Sequence, residues 1–188
     1  MPKAVSYQSP ALTWQPLKSI ARHQRPSLVL RDWLGDSGSL TARLIAQSEG
    51  DFNVRVVRQV IGRPTLNERQ VLGMRQSALA LIREVILSGR DEPWVFARSI
   101  LPLASLTGAL RHLRKQNNRP LGAFLFSQPQ LQRSAIAVAR ISRDHAYVPR
   151  DLAANQPLWG RRSVFYLQQR PLLVSEVFLP AFIAQLYQ

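Results

Sequence analysis

Apolar and polar positions change period several times along this chain, and each change predicts an element. Ser27–Leu34 reads as a short helix, and Ser39-Leu40-Thr41-Ala42-Arg43-Leu44-Ile45 as a second, with Ser39 placed to cap it after the Asp36-Ser37-Gly38 break. The period then falls to two: Phe52, Val54 and Val56 alternate with Asn53 and Arg55, a strand pattern that Gly62-Arg63-Pro64 ends. Thr65-Leu66-Asn67-Glu68 has capping-box spacing and opens a short helical turn or two. Ala78–Ser88 and Trp94–Pro102 are β-rich runs joined by Gly89-Arg90-Asp91-Glu92-Pro93, which makes them a hairpin. Leu106, Leu110 and Leu113 sit at helical spacing within Leu106–Gln116, and Pro120-Leu121-Gly122 opens a further helix after Asn117-Asn118-Arg119. Alternation returns over Ser134–Arg140, whereas Ser142–Pro157 is polar, carries Pro149 and Pro157, and reads as a long surface loop or insertion. Ser163–Leu167 and Leu172–Leu179 make a second hairpin, turning at Gln168-Gln169-Arg170-Pro171, and Leu158–Ser163 reads as a turn with a packed Trp entering it. Strands joined by tight turns with helices between them imply an α+β domain, an antiparallel sheet with helices packed on one face.

Composition narrows what such a domain does. The 188 residues favour one domain, and the absence of cysteine excludes a disulfide framework, a thiol nucleophile, a thiolate zinc site and an iron–sulfur cluster. His23, His112 and His145 lack metal-ligand spacing, and there is neither a Gly-rich phosphate loop nor a nucleophile elbow. The net charge of +14 is carried almost wholly by arginine, with 25 Lys+Arg of which three are lysine, so the surface attracts anions: nucleic acid, anionic lipid or small acids. Those arginines are spread rather than massed, as an Arg-rich codon usage alone also produces, and Trp14, Trp33, Trp94 and Trp159 are not interleaved with them in a base-stacking pattern. The apolar stretches Ala78–Leu87 and Leu172–Ala184 are interrupted by charge or proline, no run before Ala21 suits a signal peptide, and a cytoplasmic protein is expected.

Two charges in apolar rows are the candidate chemistry. If the first hairpin turns symmetrically about Arg90 and Asp91, residues whose numbers sum to 181 face each other: Leu87 with Trp94, Val85 with Phe96, Arg83 with Arg98. Opposed guanidiniums on an apolar face are costly without an anion between them, which points to a carboxylate or phosphate site. The opposite face, with Ile82, Glu84, Ile86 and Val95, is as apolar, which leaves Arg83 in solvent or on an acid as the alternative. On the second hairpin Leu172, Val174, Glu176 and Phe178 share a side; burial there favours a neutral, hydrogen-donating carboxyl or a partnership with arginine, and an edge-strand glutamate in water is the alternative. Helix starts at Leu40 and Leu121 offer outward amides, as every helix does.

The same residues resemble a known family, the bacterial chorismate pyruvate-lyases of ubiquinone biosynthesis. The blocks are Asp32-Trp33-Leu34 with Ser39-Leu40-Thr41, Arg83–Leu87, Glu92-Pro93-Trp94 with Ala97-Arg98, Pro120-Leu121-Gly122, Leu158–Ser163 and Leu172–Pro180, in the family's order over roughly residues 32–182, the second and fifth being the most specific. The resemblance implies one antiparallel-sheet domain over 1–188, with helical flaps over an enclosed pocket, residues 1–26 a loose extension and 142–157 an insertion longer than expected. It also implies a cofactor-independent and metal-independent lyase that splits the chorismate dianion into 4-hydroxybenzoate and pyruvate; a product held by apolar walls and an Arg–carboxylate pair is expected to leave slowly and inhibit, and no nucleic acid, no membrane insertion and a monomeric state are expected. Carried over by position, Arg83 holds the ring carboxylate, Glu176 contacts the ring hydroxyl, the backbone amides of Leu40 and Leu121 complete the grip, and Arg98 supports the second carboxylate. Leucine stands at position 40 where some relatives have methionine. The rival expectation is a non-catalytic, small-acid-sensing domain of the same fold, as found in bacterial transcription regulators; the roughly 30 residues before the first block are too few for a winged helix.

Overall fold

Alternating runs become strands here wherever a partner run lies within one tight turn. The computed structural model describes residues 12–115 and 119–187. Its strands are β1 (Phe52–Gly62), β2 (Ala80–Gly89), β3 (Glu92–Pro102), β4 (Gln132–Arg133), β5 (Ala137–Ile141), β6 (Leu158–Leu167) and β7 (Arg170–Phe178). They form one antiparallel sheet in the order β1-β2-β3-β7-β6-β4, with β5 pairing the first half of β6. The α+β class with a single antiparallel sheet is therefore as expected. Strand β6 begins at Leu158, so the segment read as a turn is strand, and its run is buried through Phe165 because β6 lies inside the sheet with both faces covered.

Helices form where a capping side chain precedes an apolar stripe. In α1 (Leu28–Gly35) Ser27 Oγ accepts from the Leu30 amide, and in α2 (Leu40–Gln47) Ser39 Oγ accepts from Ala42, each at 3.3 Å. In α3 (Leu66–Val71) Thr65 and Glu68 make the full capping box. Leu106, Leu110 and Leu113 are buried as expected, but Gly108–Lys115 winds as a 3-10 helix rather than an α-helix, and Gln116, Asn117 and Asn118 lie outside the described residues. Helices α4 (Leu121–Phe126) and α5 (Pro180–Gln185) complete the set, Pro180 occupying a first-turn position where its missing N–H costs nothing.

Both hairpins turn through two residues with positive φ, Arg90 and Asp91 (52° and 61°) and Gln168 and Gln169 (52° and 61°), the turn geometry whose twist matches the flanking strands. The first hairpin is not symmetrical, however. Ser88 faces Pro93 but Leu87 faces Val95, so Trp94 is an extra residue in β3, a bulge. Its indole lies over Gly89, 2.4 Å from where a Cβ would stand, so only glycine fits there. Beyond the bulge the register slips by one: Val85 faces Ala97, Arg83 faces Ser99 and Glu84 faces Arg98, which corrects the expected Arg83–Arg98 pair.

The sheet is covered on both faces, not one. On the first, Leu30, Trp33, Leu34 and Leu44 of α1 and α2 pack with Trp94, Phe178 and Phe182, the Trp33 and Phe182 rings 4.8 Å apart. Farther along the same face, Leu106, Leu110, Leu121 and Leu125 cover Leu81, Leu101, Phe165 and Leu172. On the second face Leu72 after α3 packs on Ile82, Ile100 and Leu173, and Val148 and Leu152 of the irregular 142–157 segment pack with Phe96, Ile141 and Val177. Within residues 12–26, Gln15 exchanges two backbone hydrogen bonds with Val138 and Ile20 is buried, while residues 1–11 of the expected loose extension lie outside the described residues. At the sheet's end β1 exposes Arg55 and Arg58 beside an irregularity at Val57, features that discourage edge pairing. No helix among the described residues is long and apolar enough to cross a membrane.

Candidate active site

The two clusters on the first face leave a gap between them, and four charged side chains from four strands enter it. Arg83 comes from β2, Glu176 from β7, Arg161 from β6 and Arg133 from β4; around them lie Leu40, Thr41, Val85, Ala97, Leu121, Phe165 and Val174, among others. Only about 30 Å³ of this space is open to the centre of a water molecule. That is room for about two or three waters, so a ring-sized ligand displaces all of them and enters only when the covering helices part.

Arg83 is 2 % exposed, and Nη2 donates to the Arg119 carbonyl at 3.1 Å, just ahead of α4. Burial lowers the pKa of its guanidinium from the ordinary value, yet an arginine keeps its proton at any physiological pH. Glu176 faces Arg161 across β7 and β6, and Arg161 Nε donates to its Oε2 at 2.7 Å. The carboxylate in the apolar row is thus partnered by arginine, one of the two forms expected of it. Arg161, 1 % exposed, also donates through Nη1 to the carbonyls of Trp33 (2.7 Å) and Asp36 (2.8 Å), fastening the α1–α2 loop to the sheet. Arg133 reaches the same loop from the other side, with Nη1 on the Ser37 carbonyl at 2.7 Å and Nε on Ser163 Oγ at 3.0 Å. Its pKa is lowered by burial and by the neighbouring Arg161 cation, against the pull of Glu176 and Asp36. Asp36 closes the loop: burial pushes its carboxyl up, but the Gly38 amide, Arg43 and Arg161 together hold it below its ordinary value.

The helix starts at Leu40 and Leu121 both line the cavity, and α2 and α4 meet above it so closely that a Cβ on Gly122 would stand 2.9 Å from Thr41 Oγ1. Arg98 does not come to this site. The bulge at Trp94 turns it to the opposite face, where Nε and Nη2 grip both oxygens of Glu68 (2.7 and 3.1 Å) and Nη1 pairs with Glu84. Burial alone would lower its pKa, but the hydrogen bond and charge of Glu68, with Tyr147 and Glu84, raise it. Its expected support of a second carboxylate is corrected accordingly: it is a structural cation tying α3 to the sheet. Sequence reasoning gave no role to Arg133 or Arg161. Arg161 left a trace, a charge that falls opposite Glu176 once the second hairpin is extended back past Ser163; two-residue β4 left none for Arg133. Among the described residues no cluster of three His, Asp or Glu could hold a metal ion.

In chemical terms the cavity is a closed, largely apolar slot with three cations and one anion, an excess of two positive charges suited to a small dianion. Solved structures share the fold: the C-terminal domain of a histidine utilization repressor from Pseudomonas syringae matches with a TM-score of 0.55 at 13% identity, covering 69% of this chain and 92% of that one. The effector domain of PhnF from Mycobacterium smegmatis also reaches 0.55, at 18% identity, over 77% and 90%. The family described as chorismate lyase matches residues 9–188, and the chain belongs to it. Relatives named probable chorismate pyruvate-lyase include one from Methylococcus capsulatus, 42% identical (82% of this chain, 97% of the relative), and one from Azoarcus, 49% identical (82% and 85%). A third, from Aromatoleum aromaticum, is 44% identical over 91% of this chain and 94% of its own.

Proposed function

We propose that this protein is a chorismate pyruvate-lyase, which eliminates pyruvate from chorismate to give 4-hydroxybenzoate, the entry to ubiquinone biosynthesis. The observation that carries this reading is the excess of two positive charges inside a closed apolar cavity, matching a substrate with two carboxylates. Arg83 takes the ring carboxylate, and Glu176, with Oε2 held by Arg161, offers Oε1 to the ring hydroxyl. The amides of Leu40 and Leu121 close the cradle at the ring-carboxylate end. In the reaction the C–O bond of the enolpyruvyl ether breaks and its electrons leave on the enol oxygen. The hydrogen on the adjacent hydroxyl-bearing carbon departs as a proton, and that C–H electron pair completes the aromatic ring. The proton ends on the enolpyruvate carbon as pyruvate forms. Aromatisation drives the step; the protein orients a dianion, excludes water and stabilises the charge growing on the leaving oxygen with guanidiniums in a low-dielectric site.

Purified protein incubated with chorismate in chelator-containing buffer is expected to yield equal amounts of 4-hydroxybenzoate and pyruvate. The second reading, a ligand sensor without chemistry, is favoured by the effector-domain fold of the solved relatives. Chorismate that stays intact while 4-hydroxybenzoate binds would establish that reading instead. The protein acts in the cytoplasm as a monomer, the latter supported by the arginine-guarded edge of β1.

A further inference from the structure

We propose that Arg133 binds the second carboxylate of the substrate, the one carried by the enolpyruvyl group that leaves. This rests on the lyase reading and supplies the residue that Arg98, on the far face, does not. The four charged side chains enter the cavity in strand order: Arg83 on β2, then, past β3, Glu176 on β7, Arg161 on β6 and Arg133 on β4. With neighbouring strands about 4.8 Å apart, Arg83 and Arg133 approach from opposite sides, each two strands from Glu176. Chorismate has the same order of groups: a ring carboxylate, the hydroxyl para to it, and the enolpyruvyl ether on the next ring carbon, with its carboxylate beyond. A ring held with its carboxylate on Arg83 and its hydroxyl on Glu176 therefore sends the enolpyruvyl carboxylate toward Arg161 and Arg133.

Of those two cations Arg161 is already spent. Its charge is paired with Glu176 and its Nη1 with two carbonyls. Arg133 has no carboxylate in contact among the described residues, and its Nη2 makes no hydrogen bond to any of them. The guanidinium stands 5.0 Å from the Phe165 ring centre and 6.0 Å from that of Phe126, an apolar setting in which an anion is held strongly. Arg133 is also the residue that the cavity shares with a larger groove outside, lined by Lys18, Arg25 and Arg31. Arg31 Nε is buried there without a partner among the described residues. The end of the substrate that departs thus lies against the wall toward this basic groove.

The product lacks the group that Arg133 is assigned to hold, and this separates a binding role from a structural one. Arg133→Gln is expected to lower kcat/KM for chorismate by about 10- to 100-fold, the loss of one charge-assisted contact. Its equilibrium affinity for 4-hydroxybenzoate, followed by tryptophan fluorescence, stays within about threefold of wild type, as no contact to that ligand is removed. Arg133→Lys recovers part of the chorismate activity, whereas Arg83→Gln weakens both ligands together. Because Arg133 also holds the Ser37 carbonyl, a purely structural role is the rival, and it makes 4-hydroxybenzoate affinity fall in step with kcat/KM; that result, or unchanged chorismate kinetics, overturns the assignment. If wild-type protein proves not to cleave chorismate, the lyase reading fails by itself, and direct binding of chorismate against 4-hydroxybenzoate to the same variants decides the Arg133 assignment in the same way.

Discussion

Removing Arg161 should cost more stability than any other single change in the cavity, because one side chain satisfies three buried or half-buried acceptors. Arg161→Leu leaves the carbonyls of Trp33 and Asp36 without donors, about 1 kcal/mol each at the low end of such penalties. It also leaves the Glu176 carboxylate unpaired in an apolar site, about 3 kcal/mol, an amount kept near the low end because the Glu176 side chain retains 16% exposure. The expected loss is about 4–5 kcal/mol, a large part of the whole stability of a domain. At about 2–4 °C per kcal/mol for a chain of this size, Tm falls by about 10–15 °C. Urea unfolding followed by tryptophan fluorescence reads the change as a shift in midpoint at constant slope. The double variant Arg161→Leu with Glu176→Leu should recover about 2 kcal/mol, since the orphaned charge goes with its partner. A single variant that loses less than about 1 kcal/mol, or a double variant no better than the single, would show that the pair behaves as a solvated surface pair and refute the reasoning.

The remaining predictions concern activity, pH and backbone strain. Arg83→Ala should raise KM for chorismate and weaken 4-hydroxybenzoate binding, whereas Glu176→Gln should mainly lower kcat; wild-type kinetics in both would remove these residues from the site. The product fills an enclosed cavity whose covering helices must part to release it, so 4-hydroxybenzoate should inhibit turnover, which steady-state rates with added product will show. Because the folded-state pKa of Asp36 lies below its ordinary 3.8, its contribution is present above that value and lost as the pH falls through the lower one. The stability gap between wild type and Asp36→Asn should therefore be widest near neutrality and narrow below about pH 4, and a gap independent of pH in urea titrations would contradict this. Gln169→Gly, at φ 61°, should stabilise the second hairpin by about 0.5 kcal/mol in the same assay, less left-handed strain outweighing the entropy of glycine.

Much of this architecture was legible because the physics that builds it is local. Ser39 and Thr65 cap the helices they precede, and both hairpins are visible as alternating runs around short polar turns. Arg83 and Glu176 stood out as charges in apolar rows, and the structure brings both to one cavity. Arg98 stood out for the same reason and was placed on the wrong face, since its parity depends on whether Trp94 is a paired or a bulged residue. Local composition does not show that choice, which the packing of an indole over Gly89 decides. Arg133 was invisible for a different reason: its strand is two residues long, and what makes it matter is the α1–α2 loop about 95 residues earlier, to which it bonds.

The extra residue at Trp94 gives the sheet a sense of odd and even. Ahead of it β3 would have offered Phe96 and Arg98 to the cavity; behind it, Ala97 and Ser99 line the site while Phe96 and Arg98 secure the back. Any insertion or deletion of one residue between Gly89 and Phe96 would exchange those two sets at a stroke, driving a large aromatic into the slot and stranding Glu68 and Glu84 without their cation. Changes of length in this hairpin are therefore tolerable only in pairs.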